Sequence, residues 1–162
     1  MGYSLSRDEI DKAFNLFLSL ADKKKEITDH DLDAIVNSIT IVPEYYRLDT
    51  FQIQSGNRMQ AMASVTLLYD EKEKSEAATG DGPIDAAYNA VVRIVGGDWP
   101  LVSYDIRAVT EGMDALGEVT VRVKHGDEIH VGRGLSTDIM EASIRAYVHA
   151  INREKARAAK QD

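Results

Sequence analysis

Residues 80–88 read Gly80-Asp81-Gly82-Pro83-Ile84-Asp85-Ala86-Ala87-Tyr88, and the fold is decided by how this stretch is read. It follows a predicted strand at 75–79 and opens a predicted helix reaching about Val95. Pro83 suits the first helical turn, where a missing N–H has no intrahelical partner to lose. The two glycines let the chain turn sharply and leave backbone N–H groups uncovered at the helix start. Such an end carries partial positive charge and can receive a carboxylate. The pattern returns at Gly132-Arg133-Gly134, after a predicted strand at 129–131 and ahead of a second helix. There Glu141-Ala142-Ser143 and Ala146 echo Asp85-Ala86-Ala87 and Ala90. One Gly-x-Gly says little, but its return in the same strand-to-helix setting predicts a duplicated unit.

Outward from these two stretches the elements fall into order. Residues 48–55 form a predicted strand closed by a turn at Ser55-Gly56-Asn57, and Met59, Ala61, Ala63, Val65, Leu67 and Tyr69 alternate along the next. Asp70 to Glu73 turns into the third strand, which feeds Gly80. The first helix carries a stripe of Ile84, Ala87, Tyr88, Val91, Val92 and Val95 and stops at Gly96-Gly97. Trp99-Pro100 begins the link to a second round: a strand at 103–110, an irregular connection at 112–117, and alternating Val119, Val121 and Val123. A turn at His125-Gly126-Asp127 leads to the strand at 129–131, and the second helix follows with Ile139, Ala142, Ser143, Ala146, Tyr147 and Ala150 on one face. Val65-Thr66-Leu67 is matched with Val119-Thr120-Val121, and residues 153–162 are expected to be a fraying charged tail.

The expected fold class is therefore α+β: two pseudo-symmetric strand-strand-strand-helix units packing helices on sheets, preceded by a two-helix linker arm. A pseudo-two-fold would bring two glycine-led helix starts into comparable positions. Small residues such as Ala86, Ala90, Ala142 and Ala146 would let the helices approach closely. The arm begins with a Ser6–Glu9 capping box flanked by Leu5 and Ile10, and continues with Ile10, Ala13, Phe14, Phe17, Leu18 and Ala21 at helical spacing. A solvated charged run from Asp22 to Glu26 ends it, and Thr28 caps a second helix with Leu32, Ile35, Val36 and Ile39 on its face. Pro43 marks the boundary, giving a helical linker subdomain at 1–42 and a second domain at 43–162.

Composition narrows the function. A chain of 162 residues with 44% hydrophobic content can bury one ordinary core beside a modest appendage. The net charge of −8 argues against nucleic acid, whose binding rests on phosphate neutralisation. With no cysteine, disulfides, thiolate catalysis and cysteine-ligated metals are excluded, and a cytoplasmic setting is the expectation. No apolar run approaches the ~20 residues that span a bilayer. His125 and His130 flank a hairpin turn with no supporting carboxylate cluster, so no metal site is expected there.

Four quoted stretches carry a family resemblance. They are Ser75-Glu76-Ala77-Ala78-Thr79 with 80–88, residues 104–108, Val109-Thr110-Glu111-Gly112-Met113-Asp114-Ala115-Leu116-Gly117-Glu118-Val119, and Gly132-Arg133-Gly134 through Asp138 to Tyr147. Together they resemble the C-terminal regulatory (LeuA dimerisation) domain of 2-isopropylmalate synthases, shared by the citramalate synthases, over roughly residues 45–153. Gly2-Tyr3-Ser4-Leu5-Ser6 and Ala21-Asp22-Lys23-Lys24-Lys25 are similar to the helical linker preceding that domain. The resemblance implies a parent enzyme that condenses acetyl-CoA with 3-methyl-2-oxobutanoate in a TIM barrel dependent on a divalent metal. It implies a homodimeric domain that binds leucine as feedback inhibitor and acts on that barrel. A barrel typically needs ~250 residues, and the family's His-x-His metal pair does not occur among His30, His125, His130 and His149. This chain is accordingly expected to carry no catalytic residue, metal or cofactor, with Met1 an introduced start.

An effector site is expected, its glycines and Asp114 from the reading of the turns and acids and its other positions from the resemblance. It comprises Gly80 and Gly82 at the first helix start, Ile84 and Asp85 just inside it, and Leu101, Tyr104 and Ala108 on the following strand. Asp114 and Ala115 in the loop beyond, and Leu135 and Ile139 near the second helix, complete it. Each has a plainer reading. The four glycines, Gly132 and Gly134 included, serve turn geometry and close helix–sheet packing. Ile84 and Ile139 are core, and Asp85, Asp114 and Asp138 cap helices instead of meeting a ligand ammonium. Tyr104 stands out because a buried hydroxyl needs a partner. Two rivals stay open: an isoleucine-sensing citramalate synthase domain, and a purely structural dimerisation module. The common strand-helix-strand-strand-helix-strand amino-acid-binding fold fails on element order.

Overall fold

The computed structural model describes residues 7–22, 27, 29, 32, 35, 36, 42–109 and 115–161. The chain divides into two compact units, Met1–Ile41 and Val42–Asp162. In the first, helix α1 (Arg7–Ala21) is amphipathic, with Ala13 and Phe17 half-buried and Ile10, Phe14 and Leu18 exposed. Of the second arm helix, Asp29, Leu32, Ile35 and Val36 are described; all are helical and Ile35 is buried. Ser6, the Lys23 to Glu26 run and Thr28 lie outside the described residues.

The second unit consists of β1 (Tyr46–Gly56), β2 (Met59–Tyr69), β3 (Lys72–Gly80), α2 (Pro83–Val95), β4 (Leu101–Ala108), β5 (Gly117–His125), β6 (Glu128–Ser136) and α3 (Ile139–Ala159). The strands make two three-stranded antiparallel meanders, β1-β2-β3 and β4-β5-β6. Each is followed by its helix, so the α+β duplication is observed. Alternation sets the core: Ala61, Ala63, Val65 and Leu67 of β2, and Val119, Val121 and Val123 of β5, turn inward under the helices. Helix α2 ends where the paired glycines require it, with Gly96 and Gly97 at φ 74° and 83°.

The halves are tied across their shared core. The rings of Tyr88 on α2 and Tyr147 on α3 stack at 4.0 Å and 7°. Tyr88 donates to the Ser143 carbonyl at 2.9 Å, and Tyr147 donates to that of Trp99 at 2.7 Å. Asn152 clamps the start of β1 to α3, accepting from Tyr46 N at 2.9 Å and donating to Tyr46 O at 2.8 Å.

Two expectations fail for identifiable reasons. Gly132 and Gly134 do not open the second helix; they lie inside β6, and Asp138 caps α3 by accepting from the Met140 and Glu141 N–H groups. A Cβ on Gly132 or Gly134 would lie 1.8 or 2.0 Å from the carbonyl oxygens of Ala146 and Ala142, so these glycines let α3 rest on the strand. Counted from the hairpin turns, Val65 corresponds to Val121 and Gly132 to Glu76, which shifts the repeat from the register read in sequence. The charged tail is not frayed either. Helix α3 continues to Ala159, with Asn152 and Glu154 buried and Lys155 placed over the Tyr46 ring at 5.2 Å.

Candidate functional site

A cavity of about 530 Å³ opens between α2 and the start of β4. The first turns of α2 supply Ile84, Asp85, Tyr88 and Asn89, because residues three and four apart share a helix face. The link after Gly97 supplies Asp98 and Trp99, and β4 supplies Leu101 and Tyr104. Trp99 is held in place by donating from Nε1 to the Gly96 carbonyl at 2.7 Å and by stacking on His125 at 3.8 Å. His125 in turn donates from Nδ1 to the Asp98 carbonyl at 2.9 Å.

The polar groups have assignable roles. Ser143 donates its single proton to the Ile139 carbonyl at 2.6 Å, so in the 2.6 Å contact between Tyr104 and Ser143 the tyrosine is the donor. Burial raises the Tyr88 and Tyr147 hydroxyls well above their ordinary value, with smaller contributions from Tyr104 and Tyr147 on the first and Asp98 and Asp85 on the second. Both are neutral donors. Asp85 accepts from the Asp81 N–H at 2.8 Å, which fixes the turn into α2; Gly82 itself offers no side-chain cap. With Asp85 from the first turn of α2, Asp98 from the link beyond its last turn, and Ile84, Val92 and Leu101 also in the lining, the cavity suits an apolar body bearing a cation.

The sequence-derived residues are distributed over several places. Ile84, Asp85, Leu101 and Tyr104 line this cavity together. Gly80 and Gly82 line a neighbouring recess beside the β1–β2 turn, with Ser55 and Met59. Leu135 lines a separate cleft at the start of β1. The Ile139 side chain packs over Gly117, and Ala108, paired with Gly117, is exposed at the end of β4. Ala115 is half-buried, and Asp114 lies outside the described residues. Sequence reading missed Asn89, Asp98 and Trp99 as lining residues. The Gly96-Gly97 stop was their signal, since a helix end followed by an aromatic at a domain link is a place where walls meet.

Sequence reading found no supporting carboxylate cluster for His130; the structure adds Glu154 from α3 to the neighbouring Glu128. Glu154 Oε2 lies 3.0 Å from His130 Nε2 and Glu128 Oε2 lies 4.0 Å from it. Their ligand-type atoms fall within 4.8 Å of one another. Arg157 Nε, however, reaches Glu128 at 2.7 Å and Glu154 at 2.8 Å, so a guanidinium already engages both. The donor set does not suit a divalent metal; it is an ion network pinning the end of α3 to β6. It holds Glu154 below its ordinary value, chiefly through the Arg157 hydrogen bond, while burial lowers His130.

Fold and site define a duplicated α+β domain with a ligand-sized cavity where its halves join. The chain belongs to the LeuA allosteric (dimerisation) domain family, whose model matches residues 26–155. It is 55% identical over 153 residues to the 2-isopropylmalate synthase of Ruminiclostridium cellulolyticum and 48% identical over 155 residues to that of Carboxydothermus hydrogenoformans. The 2-isopropylmalate synthase of Microcystis aeruginosa is 47% identical over 155 residues. Each comparison covers 94% of this chain but 29–30% of the relative, so the chain spans about 30% of the length of the curated relatives it matches. Among the described residues, no helix is long and apolar enough to cross a membrane.

Proposed function

We propose that these residues form the effector-sensing part of a 2-isopropylmalate synthase, taking leucine in the cavity between α2 and β4. The observation that carries this reading is the cavity's make-up: about 530 Å³, lined by Ile84, Val92 and Leu101 with the carboxylates of Asp85 and Asp98 and the tyrosine hydroxyl of Tyr104. Ile84, Val92 and Leu101 would enclose the branched side chain, Asp85 or Asp98 would meet the ammonium, and the N–H end of α2, whose first turn brings Ile84 and Asp85 to the cavity, would attract the carboxylate. A second copy of the chain would complete the site. Ile106 shares its sheet face with the fully buried Val119, its register partner, yet remains half exposed on the edge strand β4. That uncovered apolar edge is a surface a homodimer would bury. In the whole enzyme the condensation of acetyl-CoA with 3-methyl-2-oxobutanoate, and its divalent metal, would belong to a separate barrel. Leucine would bias the barrel by binding two arrangements of the enzyme unequally.

Calorimetric titration with leucine, isoleucine and valine, with the mass measured alongside, tests the reading. Leucine is expected to release the most heat from a dimer. Selective isoleucine binding would move the chain to the citramalate synthases, and no heat from a folded dimer would leave a structural module. Gly82→Asp adds a carboxylate beside Asp81 and Asp85 where nothing lies within 4 Å, and should abolish leucine heat without unfolding the dimer. Unchanged affinity would exclude the helix start from the site.

A further inference from the structure

The duplication creates a second cavity, and its chemistry is inverted. Between α3 and the start of β1 lies a cleft of about 440 Å³. Its lining corresponds to that of the first cavity by position in the repeat: Val148 for Val92, Leu48 for Leu101, and Arg145 for Asn89. Where the first carries Asp85 and Asp98, this one gathers Arg47, Arg133 and Arg145, with Glu44 the only acid of its lining. His149 adds a fourth donor. Its Nδ1 accepts from the Arg133 peptide N–H at 3.0 Å, so the ring proton sits on Nε2. Burial, and then the positive charges of Arg153 and Arg133, keep that ring neutral by lowering its pKa.

Arg133 is the group without an explanation in the fold. Its Nε is buried and has no hydrogen-bond partner, and among the described residues Arg133 belongs to no ion pair. A buried donor on a charged group is costly when left unmet. Of the other two guanidiniums, Arg47 stands 3.9 Å from an exposed Glu71, and Arg145 is hydrogen-bonded to Glu141 through Nη2 while 54% of its side chain stays exposed. We propose that this cleft is an anion site, taking a small dianion of the dicarboxylate or phosphate class across Arg133 and Arg145. Planar guanidiniums match both groups with paired N–H donors. A volume of about 440 Å³ is the size of a small-molecule site.

The test titrates the chain with malonate and with inorganic phosphate at constant ionic strength, using acetate as the monoanion control. At least one dianion is expected to bind saturably and above acetate, and which one binds identifies the carboxylate or phosphate source. Arg133→Gln and Arg145→Gln should each weaken that binding about tenfold or more, as loss of a charged hydrogen bond implies, while leucine heat is kept. If Arg133→Gln does not fold, the partly exposed Arg145→Gln decides the matter. Absence of binding by both dianions, or wild-type affinity in Arg145→Gln, overturns the proposal. Loss of leucine binding in wild type bears only on the first cavity, so the two readings fail separately.

Discussion

The two halves of residues 42–161 share an element order and differ in how the helix is seated. Helix α2 has 13 residues, starts at an uncapped Gly82 and is cut off by Gly96. Helix α3 has 21, starts at a side-chain cap on Asp138, lies directly against β6 and ends in the Glu128–His130–Glu154–Arg157 network. The same duplicated plan therefore yields one short helix beside an open, acidic cavity and one long helix that acts as the frame. It also yields two clefts of opposite charge. Divergence after duplication has acted on the helix ends and the strand facing each helix, leaving the alternating cores of β2 and β5 alike.

The largest expected effect tests the close seating of α3. Gly132→Val places a branched side chain where even a Cβ would be 1.8 Å from the Ala146 carbonyl oxygen, so the helix must lift. A loss of about 3 kcal/mol or more is expected in urea unfolding, at the upper end for overpacking. The corresponding Glu76 in β3 is exposed, and Glu76→Val should change stability by less than about 0.5 kcal/mol. Equal effects at the two positions would remove the asymmetry between the halves.

This difference also marks what the sequence could and could not disclose. Period-two alternation in 59–69 and 117–125 and helical stripes in 83–95 and 139–150 were legible because one buried face imposes them. Gly132-Arg133-Gly134 was misread as a turn because glycine gives the same letter for a backbone that must bend and for one that must be approached. The end of α3 was misread because Glu154 and Arg157 look like solvated charge. Their partners Glu128 and His130 belong to a different element, and no local pattern announces such pairing. At the candidate site Tyr104 announced itself through its hydroxyl, whereas Asp98 and Trp99 gain their role only when α2 and β4 are brought side by side.

The next effect concerns the joint between the halves. Asn152 satisfies both backbone groups of the buried Tyr46, so Asn152→Leu leaves an N–H and a carbonyl without partners. The expected cost is about 2–6 kcal/mol, from about 1–3 for each of the two orphaned groups. Amide exchange should quicken first at the start of β1 and spare β4. A cost below about 1 kcal/mol would mean that water replaces the clamp and that the Tyr88–Tyr147 stack and the Tyr88–Ser143 hydrogen bond carry the joint.

The smallest expected effect is a pH dependence confined to the second half. Both histidines with lowered values, His130 on β6 and His149 on α3, belong to it. In each the first cause is burial; nearby charges then act in both directions, with Glu154 and Glu128 favouring the charged form of His130 and Arg157 and His125 opposing it. A folded value below the ordinary 6.5 means that the unfolded chain binds the proton first as pH falls. The stabilisation is complete above 6.5 and is lost as pH drops through the folded values. Glu154, also lowered, adds a second loss as pH falls below its ordinary 4.5. Unfolding midpoints should therefore decline from pH 7 to 5 and again below pH 4.5, with exchange quickening in β6 and α3 before β2 and α2. Glu154→Gln should flatten the lower step, because the group that must stay ionised is gone. A decline that begins in the first sheet would place the acid-sensitive contacts in the half with the short helix and reverse the assignment of α3 as the frame.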